Sequence, residues 1–411
     1  MNLEREIVNR EQRVEYPEAT AEIERKFFEE VDHIMRERHA KGNPYHNTKH
    51  PENVNEASAG IEEDGEESGI AISSQQKLAR KVAAKTHDIV VRYSIAPQGA
   101  FNAGERVRLR GFGEVNPNKG GFYKVIEGNK VETISAKQIE EAEKKGTSIN
   151  VEGWSPIIGN EEDSWQEAHA LMNKYDPEGK IFTPYVQGLV RKEIGATYPD
   201  FGFAKFKNQE RAKALIDESF FVKDAAGEPV YSGLLVDQTF LRKNLAEASI
   251  EEIAVGAGDI LYGGEKPFDE FFTEAMNEAR ESIQWIEDSL DQKGFSAFSP
   301  DEKVRATKAM FGWVSTQPGF LLHQWERFEE ITQVNENIKN NMAFKGKLET
   351  RYSHFEDNIK KMNQKVLDLK QAYADLAQES VYPASDGRLS EFLSIMGYKI
   401  TAQVDELSGA A

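Results

Sequence analysis

Toward the C-terminal end, Leu348, Tyr352, Phe355, Ile359, Met362, Val366, Leu369, Tyr373 and Leu376 follow one another alternately four and three residues apart. Only an α-helix turns that spacing to one side, and an apolar stripe sustained over about four heptads has to be covered. Two covers fit: a second copy of the chain in a dimerising coiled coil, or the body of the same molecule, with a long helix lying back on it. The same period recurs earlier. In TAEIERKFFEEVDHIMRER, from about Ala19 to Arg38, Ile23, Phe27, Phe28, Val31 and Ile34 share one face with charges opposite, and Gly42-Asn43-Pro44 ends the run. SSQQKLARKVAAKTHDIV reads as a helix opened by a serine cap, with Leu78, Val82 and Ala83 facing inward. Between these two, residues 52 to 70, acidic and glycine-bearing in their second half (GIEEDGEESGI), read as a surface loop.

Residues 98 to 153 change character. ERVRLRGFGEV, GGFYKVIEG and NKVETIS alternate polar with β-branched or aromatic residues between glycines and asparagines, which is strand chemistry. Helical texture then resumes at EDSWQEAHALMNKY and continues through QTFLRKNLAEASIEEIAVGA and KPFDEFFTEAMNEARESIQWIEDSL to SPDEKVRATKAMFGWVSTQPGFLLHQWERFEEI. The expected fold is mostly α. A helical domain in two parts, 1–97 and 154–335, is interrupted by a small β-rich insertion at 98–153 and followed by a C-terminal helical tail at 336–411. FAKFKNQERAKAL, basic and aromatic, reads as a solvated helix start.

Charge and composition narrow the function. Lys and Arg number 51 against 70 Asp and Glu, a formal charge of −19, which disfavours nucleic acid and anionic membranes as partners. A phosphate substrate is still accommodated where a metal ion supplies local positive charge. Cysteine is absent, so any metal has to be held by His, Asp or Glu. No run of 18 apolar residues occurs and the first residues lack an apolar leader core, so the expectation is a cytoplasmic protein that does not span a membrane. GFGEVNPNKGG does not have the spacing of a P-loop, nor VGAGD that of a dinucleotide fingerprint.

The chain has eight histidines, and three of them fall in two short motifs. NPYHNTKH sets His46 and His50 four apart, on one face if that segment is helical. Further on, a helix ends in His87-Asp88. Adjacent residues cannot share one face of a regular helix, but they can converge on one ion where the helix ends. Either motif alone is unspecific; together they point to a metal site. A later carboxylate comes from Asp259 or from Asp237 in GLLVDQTF, and Asp259 is preferred because Ile253, Ala254, Val255 and Ala257 lead up to it as a buried ligand needs.

NPYHNTKHPENV resembles a segment of cyclic-nucleotide phosphodiesterases, within the HD superfamily of metal-dependent phosphohydrolases, that begins Asn-Pro-Tyr-His-Asn and runs to a second histidine. KVAAKTHDIV is similar to the helix bearing that family's His-Asp pair, and SWQEAH (Ser164 to His169) to its Ser-x-x-Glu segment. EIAVGAGDILYGG is similar to the stretch holding its last metal-binding aspartate, and STQPGFLLHQWERF to its Ser-Gln-x-Gly-Phe stretch around the purine. These pieces stand in the family's order over roughly residues 20 to 330, broken by the β-rich stretch, which the family pattern lacks.

The resemblance implies a helical HD-domain bundle. It implies His50, His87, Asp88 and Asp259 as ligands of a first metal, with Asp88 bridging to a second, the ions being Mg²⁺, Mn²⁺, or Zn²⁺ paired with one of them. It gives His46 the protonation of the leaving ribose oxygen, Glu167 the orientation of water, and Tyr45 a place in the substrate pocket. Gln317 would read a base edge and Phe320 stack on the ring. Read from the residues alone, Glu167 is equally a helix surface charge, and Gln317 and Phe320 a helix start and a core residue, though Pro318-Gly319 suits a turn at a pocket. The sequence departs from the family where HDIVVRYS carries no further histidine, and GNEEDS is similar to the wider HD superfamily, whose members act on dNTPs, nucleoside monophosphates or guanosine tetraphosphate. The expected activity is metal-dependent hydrolysis of a nucleotide phosphodiester, a cyclic nucleotide first and linear nucleotides second. A non-catalytic nucleotide-binding protein is the alternative from another class. Expected partners are a small nucleotide and, through the heptads, a second copy of the chain.

Overall fold

The structure is a computed structural model that describes residues 18–39, 45, 47–90, 93–96, 100–102, 107–109, 113–115, 122–127, 130–135, 148–150, 153–156, 160–216, 221–223, 229–282 and 300–378. Helices α1 (Glu18–His39), α2 (Lys49–Glu67) and α3 (Ser74–Thr86) come first. Short strands follow: β1 (Tyr93–Ala96), β2 (Ala100–Asn102), β3 (Val107–Leu109), β4 (Gly113–Val115), β5 (Phe122–Glu127), β6 (Lys130–Ser135), β7 (Ser148–Asn150) and β8 (Gly153–Pro156). After α4 (Asn160–Tyr175) and α5 (Pro184–Ala196) come β9 (Pro199–Lys205), α6 (Gln209–Leu215), β10 (Phe221–Lys223) and β11 (Pro229–Gln238). Helices α7 (Thr239–Asn244), α8 (Ile250–Ile260), α9 (Tyr262–Glu265), α10 (Phe268–Ser282), α11 (Pro300–Val334), α12 (Glu336–Lys339), α13 (Met342–Arg351) and α14 (Phe355–Gln378) complete the described chain.

The chain is mostly helical, and local chemistry fixes where the helices that matter begin. Ser73 caps α3 in a reciprocal box with Gln76, and Ser249 caps α8 in the same way with Glu252. The apolar faces of α1 to α5 close on one core that includes Phe27, Val82, Met172, Val190 and Val255. The stretch expected to be β-rich does form strands. β1 pairs antiparallel with β8, Tyr93 opposite Pro156, so the excursion leaves and rejoins the helical body at one neck.

Four expectations are corrected. The acidic stretch after residue 60 is no loop: α2 runs through Gly60 and Gly65 to Glu67 because Ile61 and Gly65 are buried there, and tertiary packing outweighs the poor helix propensity of glycine. The helix stops at Gly69, whose φ of 86° favours glycine. Residues 199 to 238, expected to be helical, carry a three-stranded sheet in the order β10-β11-β9, with Ser232 opposite Lys205 and Gln238 opposite Pro199. The short, glycine-bearing PDFGFAK and YSGLLVDQ hide their alternation. Pro318-Gly319 makes no turn, since α11 passes through it unbroken. The heptad stripe is not one helix: α13 stops at Arg351 and α14 starts at Phe355.

That stripe is covered by the molecule itself over its described side chains. Leu348, Tyr352 and Phe355 join a core with Ile61, Ile253, Leu261 and Phe328, and Ile359, Met362 and Val366 join another with Phe271, Leu321 and Leu322. The face a dimer would have used is thus spent on the body, and the first part of the expected tail is body too. The side chains of Leu369, Tyr373 and Leu376 lie outside the described ones. Among the described residues, no helix is long and apolar enough to cross a membrane.

Candidate metal centre

Three helix ends meet at one place. Before α2, Asn47 donates its N–H to the Tyr45 carbonyl at 2.7 Å, and its side-chain oxygen accepts from the Lys49 N–H at 2.7 Å. This turn starts the helix at Lys49 and puts His50 in its first turn, followed by Pro51, whose missing donor costs nothing there. His87 closes α3 by donating its N–H to the Ala83 carbonyl at 2.8 Å, and Ile89 folds back onto the Thr86 carbonyl at 3.1 Å. That turn swings Asp88 to the side of His87, so two adjacent residues converge as the helix ends. Asp259 stands in the last turn of α8. A Cβ on Gly258 would meet the Val54 carbonyl oxygen at 3.1 Å, so glycine lets α8 lie this close to α2.

His50 Nε2 lies 3.2 Å from Asp88 Oδ2 and 3.4 Å from Asp259 Oδ1, and His87 Nε2 lies 3.1 Å and 3.4 Å from the same oxygens. The two Nε2 atoms are 3.3 Å apart. One ligand atom from each of the four residues falls within 4.8 Å of all the others, and the group can hold a metal ion. Both histidines are buried, and both aspartates are largely so.

The surroundings orient the donors. His87 Nδ1 sits 2.9 Å from the Ala84 carbonyl, which can only accept, so the proton is on Nδ1 and Nε2 is left to face the cluster. Gln238, at the end of β11, donates to the Gly256 carbonyl at 2.6 Å and reaches Asp259 Oδ2 at 3.5 Å. Ionisation follows from the pairing. Burial opposes charge on His50 and His87, yet the Asp88 and Asp259 carboxylates outweigh it, raising His50 and holding His87 well above the usual imidazole range. Burial also opposes charge on Asp259, and the two imidazoles outweigh it, lowering its pKa to about 2. Two carboxyl groups set against two imidazoles form a pocket whose charge is balanced either by protons on nitrogen or by a divalent cation in their place. The donor set fits such an ion.

Of the other residues singled out in the sequence, His46 lies outside the described residues. Tyr45 packs against His50 with ring centroids 4.6 Å apart and the rings tilted by 40°. Its hydroxyl is pushed well above the usual phenol range, by burial first and then by Glu278, Asp259, Asp88 and Glu274. Glu167 is half-buried on α4 and stands outside the four-residue group. Gln317 is buried in α11 with no hydrogen bond to its Oε1 among the described residues, and Phe320 packs against the core of Phe206, Tyr231 and Leu321. Asp237, the competitor of Asp259, lies in β11 opposite Asp200.

A further carboxylate feels the charges of the cluster. Glu161, in the first turn of α4, is buried, and its Oε2 has no hydrogen bond among the described residues. Its pKa rises to about 8, through burial first and then the charges of Asp88 and Asp259. One turn on, Ser164 docks this helix start beside the centre: its Oγ accepts from the Val90 N–H at 3.1 Å and donates to the Val90 carbonyl at 3.3 Å. The signal was the GNEEDS segment, which contains Glu161.

The chain matches no protein-family model, no curated protein and no solved structure.

Proposed function

We propose that the chain is a metal-dependent phosphohydrolase acting on a phosphoester of a nucleotide. The observation that carries the reading is the convergence of His50, His87, Asp88 and Asp259 from three separate helix ends onto one point. A divalent cation there, Mn²⁺ or Zn²⁺ before Mg²⁺ because half the donors are imidazoles, would supply Lewis-acid chemistry to phosphoryl oxygens and lower the pKa of a water. The chain's own residues do the rest. His87, fixed by the Ala84 carbonyl, and Asp259, steadied by Gln238, hold their donor atoms in place. Glu161, buried and close enough to feel the charges of Asp88 and Asp259, would take or give the proton at the oxygen that attacks or leaves. His46 keeps the role the resemblance implies, protonation of the leaving oxygen, and Gln317 and Phe320 keep the base-holding roles if the substrate is cyclic.

The order of the motifs supports a cyclic nucleotide. A linear nucleotide is supported by a different observation: the carboxylate beside the cluster is Glu161 of GNEEDS, the segment similar to the wider HD superfamily, and no further histidine follows Asp88 closely in HDIVVRYS. Turnover measured with Mn²⁺ or Mg²⁺ on cyclic mononucleotides, dNTPs, nucleoside monophosphates and guanosine tetraphosphate separates these forms. The expected outcome is metal-dependent release of product that His50→Ala abolishes. Glu161→Gln slows it by about 10² or more while metal content is kept. Bound metal with no turnover on any of these substrates would turn the reading into the nucleotide-binding one.

A further inference from the structure

The short segment after Asp259 is gripped by the C-terminal helices. Asn358, fully buried on α14, donates both side-chain protons, one to the Gly263 carbonyl at 2.7 Å and one to the Lys266 carbonyl at 2.8 Å. The His354 N–H donates to the Gly264 carbonyl at 2.9 Å. These bonds satisfy carbonyls that the end of α9 would otherwise leave open. Arg351 completes the grip: its guanidinium donates to Glu265 Oε1 at 3.1 Å and to Asp64 Oδ2 of α2 at 2.8 Å. The approach is so close that a Cβ at Gly264 would run into the Phe355 ring, and one at Gly263 into Leu321.

We infer that Asn358 and Arg351 are positioning residues for the metal centre, fixing Asp259 relative to His50. The inference rests on the metal reading of the four-residue cluster. α9 begins three residues after Asp259 with no loop between to absorb movement, and Arg351 bridges that segment to the helix that carries His50. A centre built from three helix ends needs its donors held to within a fraction of an ångström, and the third end is braced by the C-terminal helices. The segment that reads in sequence as a separate tail is thereby part of the metal-holding scaffold.

The test is Mn²⁺ affinity and the Co²⁺ absorption spectrum of the full chain, for the wild type, Asn358→Leu, Arg351→Met and, as a stability control on α1, which supplies none of the four donors, Val31→Ala. Asn358→Leu is expected to weaken Mn²⁺ binding about tenfold or more and to alter the Co²⁺ bands, Arg351→Met by a few-fold, in line with the loss of other orienting partners. Val31→Ala should lower Tm and leave affinity and spectrum unchanged. Wild-type affinity and bands in both Asn358→Leu and Arg351→Met, however far Tm falls, would overturn the inference; should Asn358→Leu not fold, Arg351→Met decides alone. A wild-type chain that takes up neither ion overturns the metal reading and this inference with it, and that arm keeps the two failures apart.

Discussion

At one end of α2, α3 and α8, two imidazoles meet two carboxylates. Nearer the other end of α2 and α8, and facing α3 and α5, three carboxyl groups share one guanidinium. Arg80 Nε donates to Glu62 Oε2 at 2.9 Å, and its Nη1 to the Asn55 side chain at 2.6 Å. Glu193 and Glu251 are buried beside this pair, and among the described residues both oxygens of Glu193 and one each of Glu62 and Glu251 have no hydrogen bond. Both clusters are largely buried, the Arg80 cluster the more deeply, and the pKa shifts run in opposite directions. Asp259 goes down to about 2 under its imidazoles. Glu62 goes up to about 7, because burial outweighs the Arg80 charge and Glu251 adds repulsion. Glu193 is pushed well above the carboxylate range by burial and then by Glu251, Glu62 and Glu252. The lesson is that the opposite charges in contact, weighed against depth, decide whether a buried carboxyl keeps its proton: Asp259 has two imidazoles against it, and the more deeply buried Glu62 has one guanidinium. The first cluster is poised to exchange protons for a cation; the second is neutralised by protons in place.

The largest expected effect breaks the second cluster. Arg80→Met leaves Glu62 without its guanidinium, and at pH 8 should cost about 3–5 kcal/mol in denaturant melts. At pH 5 the loss should be clearly smaller, since Glu62 then carries a proton; equal losses at both pH values would contradict the sharing of one charge. Next comes the pH dependence of the wild type. Folded Glu62 keeps its proton to about pH 7, while unfolded it gives it up near its ordinary value of 4.5. The folded state therefore binds more protons in that window, and stability falls as pH rises through it, by about 3 kcal/mol at 1.36 kcal/mol per unit. A smaller effect sharpens the comparison. Glu193→Gln keeps the polar bulk with no proton to lose, so it removes that residue's own share of the fall: stability should change by about 1 kcal/mol or less at pH 4 and rise above the wild type at pH 8, where the wild type has to hold a proton on buried Glu193. An unchanged pH dependence would mean that folded Glu193 is not held protonated, against the account.

How much was legible in the sequence divides in the same way. The His-Asp pair at a helix end and the apolar run before Asp259 are local signals, and both lead to the centre. GNEEDS contains Glu161, while the resemblance gives the water-orienting role to Glu167. Six residues along a helix turn through about 600°, which puts the two some 120° apart on α4, and nothing local says which face is inward. The second cluster left no local trace, because Glu62, Arg80, Glu193 and Glu251 come from four helices far apart in the chain and each reads alone as a solvated charge. The grip of Asn358 on Gly263 and Lys266 escapes for the same reason, as does the cover of the heptad stripe, where periodicity states that a face is buried but not against what.

The central claim is that the cluster of His50, His87, Asp88 and Asp259 holds a metal ion, and metal content of the full chain measures it directly. After loading with Mn²⁺ or Zn²⁺ and removal of excess, the wild type is expected to retain about one ion or more per chain. His50→Ala, with an unchanged helical circular-dichroism spectrum, is expected to retain essentially none. A wild-type chain that keeps no metal, or a folded His50→Ala that keeps as much as the wild type, would contradict the account.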